Sequence, residues 1–219
     1  PNLVGGSADL GPSNSTLLAE AGHVNHHDFA GANIHFGVRE NAMAAITNGL
    51  AISGAFRPYC ATFLVFSDYL KPGVRMAALM GLPSIFVFSH DSFHVGEDGP
   101  THQPIEQLLM LRSIPGVTVF RPADALEVAA AWTYAARKDR GPLVIATTRQ
   151  NVPVFERHSA TTIGQVLQGA TVVGEWFASG KTALDRVIIA TGSEVSSCAE
   201  IAPKLAANGV SVRLVSMPS

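Results

Sequence analysis

Residues His90–Gln103, with the sequence HDSFHVGEDGPTHQ, carry three histidines and three acidic residues in a stretch that also holds two glycines and a proline. They follow the apolar run Ser84–Phe88, which predicts a short buried strand. Titratable side chains at the carboxyl end of a parallel strand lie where open α/β sheets bind their ligands. Because burying so many polar groups without a purpose is costly, the loop predicts a binding site for a polar small molecule.

Glu40 and a group of aromatic residues are the next candidates. Glu40 begins a helix of small apolar residues, where its carboxylate either interacts with the helix dipole or faces a cofactor nitrogen. Phe63 and Phe66 are three residues apart, and Tyr69 is three further on, a spacing that places rings on one helical face. On pattern alone, core packing is the favoured interpretation of these aromatic residues.

Arg149 closes a predicted strand, where its guanidinium could either bind a phosphate through two hydrogen bonds or form a structural salt bridge. The Gly- and Ser-rich stretch Gly5–Asn14 lacks the spacings of mononucleotide-binding loops. The histidines His23, His26 and His27 fit no standard zinc site. The sequence therefore predicts no metal ligands.

Alternating strands and helices must position these residues. Helices are predicted over Arg39–Ser53, Phe63–Met80, Ile105–Ser113 and Asp124–Arg140. Strands are predicted before, between and after these helices, at Asn33–Phe36, Pro58–Ala61, Ser84–Phe88, Val117–Phe120 and Leu143–Thr147. This alternation is typical of an α/β domain with a parallel sheet and helices on both faces.

The pattern changes after Asn151. We predict a first domain over residues 1–152, a connector over residues 153–185 and the start of a second domain over residues 186–219. The last part reads as a βαβ unit, with strands Arg186–Thr191 and Val210–Val215 flanking the helix Glu194–Ala207. One βαβ unit can hardly enclose a core of its own. Together with a first residue other than Met, this leads us to expect a fragment.

Composition limits the possible functions. Of the 219 residues, 47% are hydrophobic and 15% charged, and the net charge is -2, which argues against disorder and against nucleic-acid or anionic-membrane binding. No apolar run reaches the roughly 18 residues of a membrane span, and no signal peptide is recognisable. Cys60 and Cys198 lack CxxC spacing and favour buried thiols in a reducing cytoplasm.

Eight stretches together resemble the transketolase family in order and spacing. They cover nearly the whole chain: Gly5–Asn14, Ile34–Asn41, Ala61–Tyr69, His90–Gln107, Arg121–Asp124, Thr148–Asn151, Ala190–Val195 and Arg213–Ser219. The resemblance implies that residues 1–152 form a pyrimidine-type thiamine diphosphate-binding domain, followed by the connector and an incomplete C-terminal domain. It also implies transfer of a two-carbon ketol unit between phosphosugars, as in the pentose phosphate pathway.

The resemblance assigns a cofactor to several residues. Glu40 matches the catalytic glutamate, whose carboxyl group bonds to N1′ of the thiamine pyrimidine and so favours the 4′-imino tautomer. We expect this carboxyl group to be well shielded. Phe63 and Phe66 match the aromatic residues that pack against the aminopyrimidine, which replaces the core interpretation given above. Asp9 lies in a loop that approaches the cofactor.

The resemblance also assigns substrate contacts. His102 matches a catalytic histidine near the C1 hydroxyl of the donor and the reaction centre. Asp98 matches a carboxylate that reads a sugar hydroxyl. Ser13, His90 and Arg149 match the phosphate-binding end of the sugar channel, where neutral histidine, serine and arginine can donate hydrogen bonds. The pair Phe93–His94 departs from the family, in which a smaller pair such as Ile-Gly is usual.

The remaining parts of the family's site are expected outside this sequence. Mg²⁺ and the diphosphate are held through a GDG…N segment of an N-terminal domain, and no GDG occurs here. The family forms its active site between the two subunits of a homodimer, so we expect the fragment alone to be inactive. Two alternatives stay open: a dihydroxyacetone synthase, which uses formaldehyde as acceptor, and a non-catalytic assembly subunit.

Overall fold

The computed structural model describes residues 2–157 and 161–219, so residues 158–160 of the predicted connector lie outside the described part. Contacts divide the chain into two compact units. The first extends to Val119 and resumes over Ala135–Arg149, and the second comprises Phe120–Tyr134 and Gln150–Ser219. None of the helices in the described ranges has the length and apolar character that crossing a membrane requires.

The helices and strands follow one another in chain order as β1 (Asn2–Ser7), α1 (Gly11–Asn14), α2 (Glu40–Ile52), β2 (Phe56–Phe63), α3 (Ser67–Leu79), β3 (Ile85–Ser89), α4 (Gln107–Arg112), β4 (Thr118–Phe120), α5 (Ala125–Arg137), β5 (Leu143–Ala146), α6 (Ile163–Val166), β6 (Thr171–Trp176), β7 (Arg186–Ala190), α7 (Glu194–Ala207) and β8 (Val212–Ser216).

A five-stranded sheet in the order β1-β2-β3-β5-β4 forms the centre of the first unit. The neighbouring pairs β1–β2, β2–β3 and β3–β5 are parallel, as the apolar runs and intervening helices predict. Residues of α2 and α3 pack with the sheet in a core that includes Met43, Leu70, Phe86 and Phe88. The predicted α/β class with a parallel sheet is therefore confirmed.

The first strand was missed, and the strand predicted over Asn33–Phe36 is wrong. The Gly-rich β1 reads as a loop in the sequence, yet it pairs along its length with β2. Asn33 instead makes isolated bridges, one of them to Gly5. Both errors involve the same contact. The segment Asn33–Phe36 lies so close to β1 that a Cβ atom on Gly6 would approach the carbonyl oxygen of Ile34 to 1.9 Å. Glycine is required there by close backbone approach.

A close crossing between α2 and α3 fixes the position of Glu40 at the start of α2. A Cβ atom on Gly73 of α3 would lie 2.5 Å from Cβ of Ala44 in α2, so glycine allows the two helices to approach. Nδ2 of Asn48 donates to the carbonyl oxygen of Gly73 at 2.9 Å, and its Oδ1 accepts from Ser84 at 2.8 Å. The crossing thus combines small-residue packing with a satisfied buried amide.

The second unit contains a three-stranded sheet in the order β6-β8-β7. Strands β7 and β8 are parallel and are joined by α7, which is the predicted βαβ unit. Strand β6 pairs with β8 in the antiparallel direction and comes from the stretch predicted as a connector. The third strand helps to cover a small core around Val173, Val195 and Leu214.

A buried ion cluster stabilises the second unit beside this core. The guanidinium of Arg157 lies 3.1 Å from Asp124 and 2.8 Å from Glu127, and all three side chains are buried. Burial raises the pKa of Glu127, although a hydrogen bond from the backbone of Ala123 and the charge of Arg157 act in the other direction. Asp124 belongs to the RPAD stretch, so that stretch has a structural use in this unit.

We expect Gly73→Ala to lower the free energy of unfolding by about 1–3 kcal/mol, because the added methyl group overlaps Ala44. The matched control is Gly49→Ala in α2, where an added Cβ meets nothing within 4 Å. This control should be neutral or stabilising by up to about 1 kcal/mol. Denaturant unfolding of both variants measures the difference, and equal effects would contradict the close crossing.

Candidate functional site

His90 lies immediately after β3, at the carboxyl edge of the sheet. Its backbone has a φ of 61°, a left-handed conformation that is uncommon for a residue other than glycine. The side chain is buried, and its ring stacks on Phe63 at the end of β2 with centroids 3.6 Å apart. Such backbone strain is often found at functional sites, and here it directs the histidine onto the end of the neighbouring strand.

Phe63, Phe66, His90 and His102 form an aromatic cluster. Phe66 lies in a 3₁₀ turn that precedes α3, and its ring is nearly parallel to that of Phe63 at 6.3 Å. His102 meets both phenylalanines edge-on, at 6.2 Å from Phe63 and 5.3 Å from Phe66. These are favourable aromatic geometries. Residues from two strand ends and a loop are therefore brought together.

The loop that carries His102 is closed by hydrogen bonds at its base. The side-chain amide of Gln103 donates to the carbonyl oxygen of Ser92 at 3.2 Å, and Ser92 Oγ lies 3.1 Å from Thr148 Oγ1. Within the loop, Gly96 and Gly99 have φ values of 82° and 78°, which glycine adopts without strain. The turn at Gly96–Asp98 is thereby directed toward the chain after β5.

Arg149 binds two acidic residues of this turn. Its guanidinium lies 2.9 Å from Glu97 and 3.7 Å from Asp98. The Glu97 side chain is 81% exposed and that of Arg149 is 39% exposed, so the pair adds little stability. The salt bridge proposed for Arg149 is thus formed, and because Glu97 is exposed, an anion could compete for the guanidinium.

The electrostatic surroundings of His90 come from the same groups. Burial lowers the pKa of the imidazole from its ordinary value of 6.5; the charge of Asp98 raises it, and the charges of Arg149 and His102 lower it. His90 is therefore neutral at pH 7. Asp98, Arg149 and His102 are close enough to His90 to act on its protonation.

A cavity of about 490 Å³ lies at the start of α2. We call it the α2 cavity, and its lining consists of Ala8, Asp9, Leu10, Val38, Glu40, Phe66 and Tyr69. It combines aromatic and aliphatic surface with two carboxylates. Such a lining suits a flat, largely apolar ligand that carries a hydrogen-bond donor. Glu40 is only partly buried by the described residues, so the expected shielding is not provided by these residues.

Two family models match the chain. The transketolase pyrimidine-binding domain matches residues 1–154, and the transketolase-like C-terminal domain matches residues 174–219. The chain belongs to the transketolase family. The resemblance drawn from the sequence stretches is thereby confirmed.

Curated transketolases share this similarity along the whole chain. The enzyme of Bacillus subtilis is 48% identical over 219 residues, and that of Geobacillus stearothermophilus is 47% identical over 219 residues. In each case the match covers 100% of this chain and 32% of the relative. The chain therefore spans about a third of the length of these transketolases.

Solved transketolases share the fold. A structure from Pichia stipitis, in complex with sedoheptulose 7-phosphate, has a TM-score of 0.90 at 40% identity, covering 99% of this chain and 32% of the other. One from Campylobacter jejuni has a TM-score of 0.84 at 45% identity, with 99% and 32% covered. A split-gene transketolase described as an inactive β4 tetramer has a TM-score of 0.75 at 28% identity, covering 100% of this chain and 66% of the other.

The residues predicted for the transketolase site fall into three neighbouring groups. Phe63, Phe66, His90 and His102 form the aromatic cluster. Asp98 and Arg149 form an ion pair that is partly buried at Asp98, and Asp9 and Glu40 line the α2 cavity together with Phe66. Ser13 is exposed on α1. The structure brings most of these residues to one edge of the sheet, while their individual roles stay predictions.

Two features of this edge were not assigned from the sequence. Tyr69 lines the α2 cavity beside Phe66, and its spacing from the two phenylalanines was the available signal. Asn14 bonds to Ser7 and to Ser89, the residue before His90. Its position next to Ser13 in the GPSN stretch gave no indication of that contact. In the described part of the chain, no group of three histidine, cysteine, aspartate or glutamate side chains could hold a metal.

Substitution of the charged neighbours should move the His90 pKa in opposite directions. Asp98→Asn should lower it and Arg149→Gln should raise it, because these charges act with opposite sign on the imidazolium. The histidine NMR titration, with the His90 signal assigned by its loss in His90→Gln, measures both shifts. Glu106→Gln, at the start of α4, serves as the control, and shifts in a common direction would refute the assigned electrostatics.

Proposed function

We propose that this chain is the central part of a transketolase, which transfers a two-carbon ketol unit from a ketose phosphate to an aldose phosphate with thiamine diphosphate. The α2 cavity is the observation that supports the proposal most directly, because Glu40, Phe66 and Tyr69 line it together and Phe66 also belongs to the aromatic cluster. The sugar phosphate in the Pichia stipitis relative supports the substrate class. Thiamine diphosphate, when bound, supplies the carbon nucleophile that ketol transfer needs.

In this proposal, Glu40 holds a proton at the cofactor. It is the first residue of α2, where the helix dipole favours a carboxylate. Its carboxyl group would hold a proton against a ring nitrogen of the aminopyrimidine, while Phe66 and Tyr69 would supply apolar contact to the ring. Asp9 lines the same cavity, and its backbone has a φ of 62°. Phe63 extends the apolar surface toward His102.

In this proposal, the aromatic cluster binds the reacting end of the sugar and Arg149 binds its phosphate end. His102 meets Phe63 and Phe66 and would therefore lie next to a bound cofactor ring, where it would bind the donor hydroxyl and assist proton transfer. Asp98 accepts a hydrogen bond from a sugar hydroxyl. Arg149 exchanges its exposed carboxylate partner for the substrate phosphate, which it can hold with two parallel hydrogen bonds.

Ser13 and His90 complete the phosphate-binding end in this proposal. Ser13 is exposed on α1, and His90 is held near Arg149 by the end of β3. The hydroxyl group and the imidazole can each contribute one hydrogen bond to a phosphate oxygen. Together with Arg149 they recognise the end of the sugar that does not react.

The rest of the enzyme must supply the diphosphate site. We assign Mg²⁺ and the diphosphate to an N-terminal domain, because the chain spans about a third of the length of its transketolase relatives and the family holds this group through a GDG…N segment that does not occur here. We assign the domain boundaries to residues 1–152, 153–185 and 186–219, and a second subunit to the open side of the α2 cavity, where Val38 and Tyr69 are exposed. Cys60 and Cys198 are free thiols, in keeping with a cytoplasmic enzyme of the pentose phosphate pathway.

Substitution of Glu40 tests the mechanism. In the full-length enzyme, Glu40→Ala should lower kcat by about 10²–10⁴-fold, because proton transfer at the cofactor loses its carboxyl group. Steady-state assay with xylulose 5-phosphate and ribose 5-phosphate measures this effect. Glu106→Ala, which removes a carboxylate at the start of α4, is the control and should retain wild-type turnover. Wild-type turnover by Glu40→Ala would disprove the assignment.

Activity of the 219-residue chain alone tests the need for the missing parts. With thiamine diphosphate and Mg²⁺ added, the purified chain should show no ketol transfer, because the metal-bound diphosphate is assigned to the N-terminal domain. The same assay on the full-length enzyme is the positive control. Robust transfer by the chain alone would overturn this division of the site.

A further inference from the structure

Ser7, Asn14 and Ser89 connect three elements by buried hydrogen bonds that end at His90. Nδ2 of Asn14 lies 2.6 Å from Ser7 Oγ, and Oδ1 of Asn14 lies 2.6 Å from Ser89 Oγ. Ser89 Oγ lies 2.9 Å from Nδ1 of His90. All four side chains are buried. We call these bonds the Ser7–His90 chain, and they join the ends of β1, α1 and β3.

The direction of the chain is set at Ser7 by two backbone groups. Ser7 Oγ donates to the carbonyl oxygen of Ala61 at 3.2 Å and accepts from the backbone N–H of Leu10 at 3.2 Å. A hydroxyl group has one hydrogen. Because that hydrogen is used for Ala61, Ser7 can only accept from Asn14. The amide nitrogen of Asn14 must therefore face Ser7, and its oxygen must face Ser89.

The same count applies at the other end. Asn14 Oδ1 is an acceptor, so Ser89 donates its single hydrogen to it. Toward His90 the Ser89 hydroxyl can then only accept, and Nδ1 of His90 must carry the hydrogen. In a neutral imidazole with hydrogen on Nδ1, Nε2 has a lone pair and no hydrogen. The hydrogen-bond chain thus assigns the tautomer of the histidine.

The surroundings of His90 keep this neutral form populated. Phe63 stacks on the ring, and burial lowers the pKa of the imidazole. The charged or titratable groups that act on it are Asp98, which favours the protonated ring, and Arg149 and His102, which disfavour it. At pH 7 the ring therefore offers an acceptor, whereas a phosphate oxygen requires a donor.

We propose that Ser7, Asn14 and Ser89 are positioning residues that hold His90 as the Nδ1–H tautomer, so that binding of a substrate phosphate at Nε2 requires uptake of one proton. The proton comes from solvent and forms the Nε2–H bond, and the ring becomes imidazolium. This rests on the proposed function for the presence of a sugar phosphate. The tautomer itself rests only on the hydrogen bonds.

The sign of the pH effect follows from this coupling. Phosphate stabilises the imidazolium, so the pKa of His90 is higher in the complex than in the free enzyme. Affinity for the sugar phosphate is greatest below the free pKa and falls as the pH rises through the window between the two values. The decrease is at most about tenfold per pH unit, as for any binding step coupled to one proton.

Neutron diffraction of the full-length enzyme without substrate, at a pD near 7.5, tests the tautomer directly. Deuterium on Nδ1 of His90 and none on Nε2 is the expected result. Deuterium on Nε2 with a bare Nδ1 overturns the proposal. This measurement needs no variant and therefore does not depend on whether a substituted protein folds.

Calorimetric titration with ribose 5-phosphate in buffers of different ionisation enthalpy tests the proton uptake. The wild-type holoenzyme should take up close to one proton per site near pH 7.5. Ser89→Ala removes the hydrogen bond that holds the hydrogen on Nδ1 of His90. The neutral imidazole can then carry its hydrogen on Nε2, and the proton uptake should fall by at least half. The control is Ser113→Ala, which removes an exposed hydroxyl that donates to the carbonyl oxygen of Met110 after α4 and lies outside the Ser7–His90 chain, and it should behave as wild type.

The outcomes separate this proposal from the proposed function. Equal proton uptake by wild type and Ser89→Ala overturns the positioning role, whatever the titration of the substrate phosphate itself, because both proteins bind the same ligand. If ribose 5-phosphate binds to neither protein while deuterium lies on Nδ1 of His90, the sugar-phosphate function is overturned and the hydrogen-bond chain is supported.

Discussion

The parallel register of β1, β2 and β3 is the constraint on which the site depends. Ser7 pairs with Ala61 across the first pair of strands, and Phe63 pairs with Ser89 across the second. The last residues of three strands therefore reach the same edge. A slip of one residue would turn every side chain of a strand to the opposite face, which would separate Phe63 from the histidine that follows β3.

Much of this arrangement could be predicted because the spacing of apolar residues indicates where the strands and helices lie. The run Ser84–Phe88 indicates a buried strand, and whatever follows such a strand must lie at the carboxyl edge of the sheet. The small-residue helix after Glu40 is equally evident, since alanine and methionine favour helices. Family stretches such as His90–Gln107 then supplied the chemistry, which periodicity cannot provide.

Other parts could not be predicted because they depend on partners that are distant in sequence. Gly5 and Gly6 suggest a loop in the sequence, yet Ile34 donates its backbone N–H to Gly5 and leaves no room for a Cβ atom on Gly6. The pairing of Arg149 with Glu97 joins residues 52 positions apart, and no local pattern distinguishes it from a free phosphate-binding arginine. Asn14 is a similar case, because its structural role depends on hydrogen bonds to Ser7 and Ser89, and Ser89 is 75 positions away.

The crossing of α2 and α3 has a consequence for how the α2 cavity can change shape. Glu40 begins one helix, Tyr69 lies in the first turn of the other, and Gly73 and Ala44 hold the two in contact one turn further along. The carboxylate and the aromatic ring are thereby carried by two helices in direct contact. The distance between Glu40 and Tyr69 depends on the size of the residues where the helices cross, so substitutions there can change the width of the cavity without changing the groups that line it.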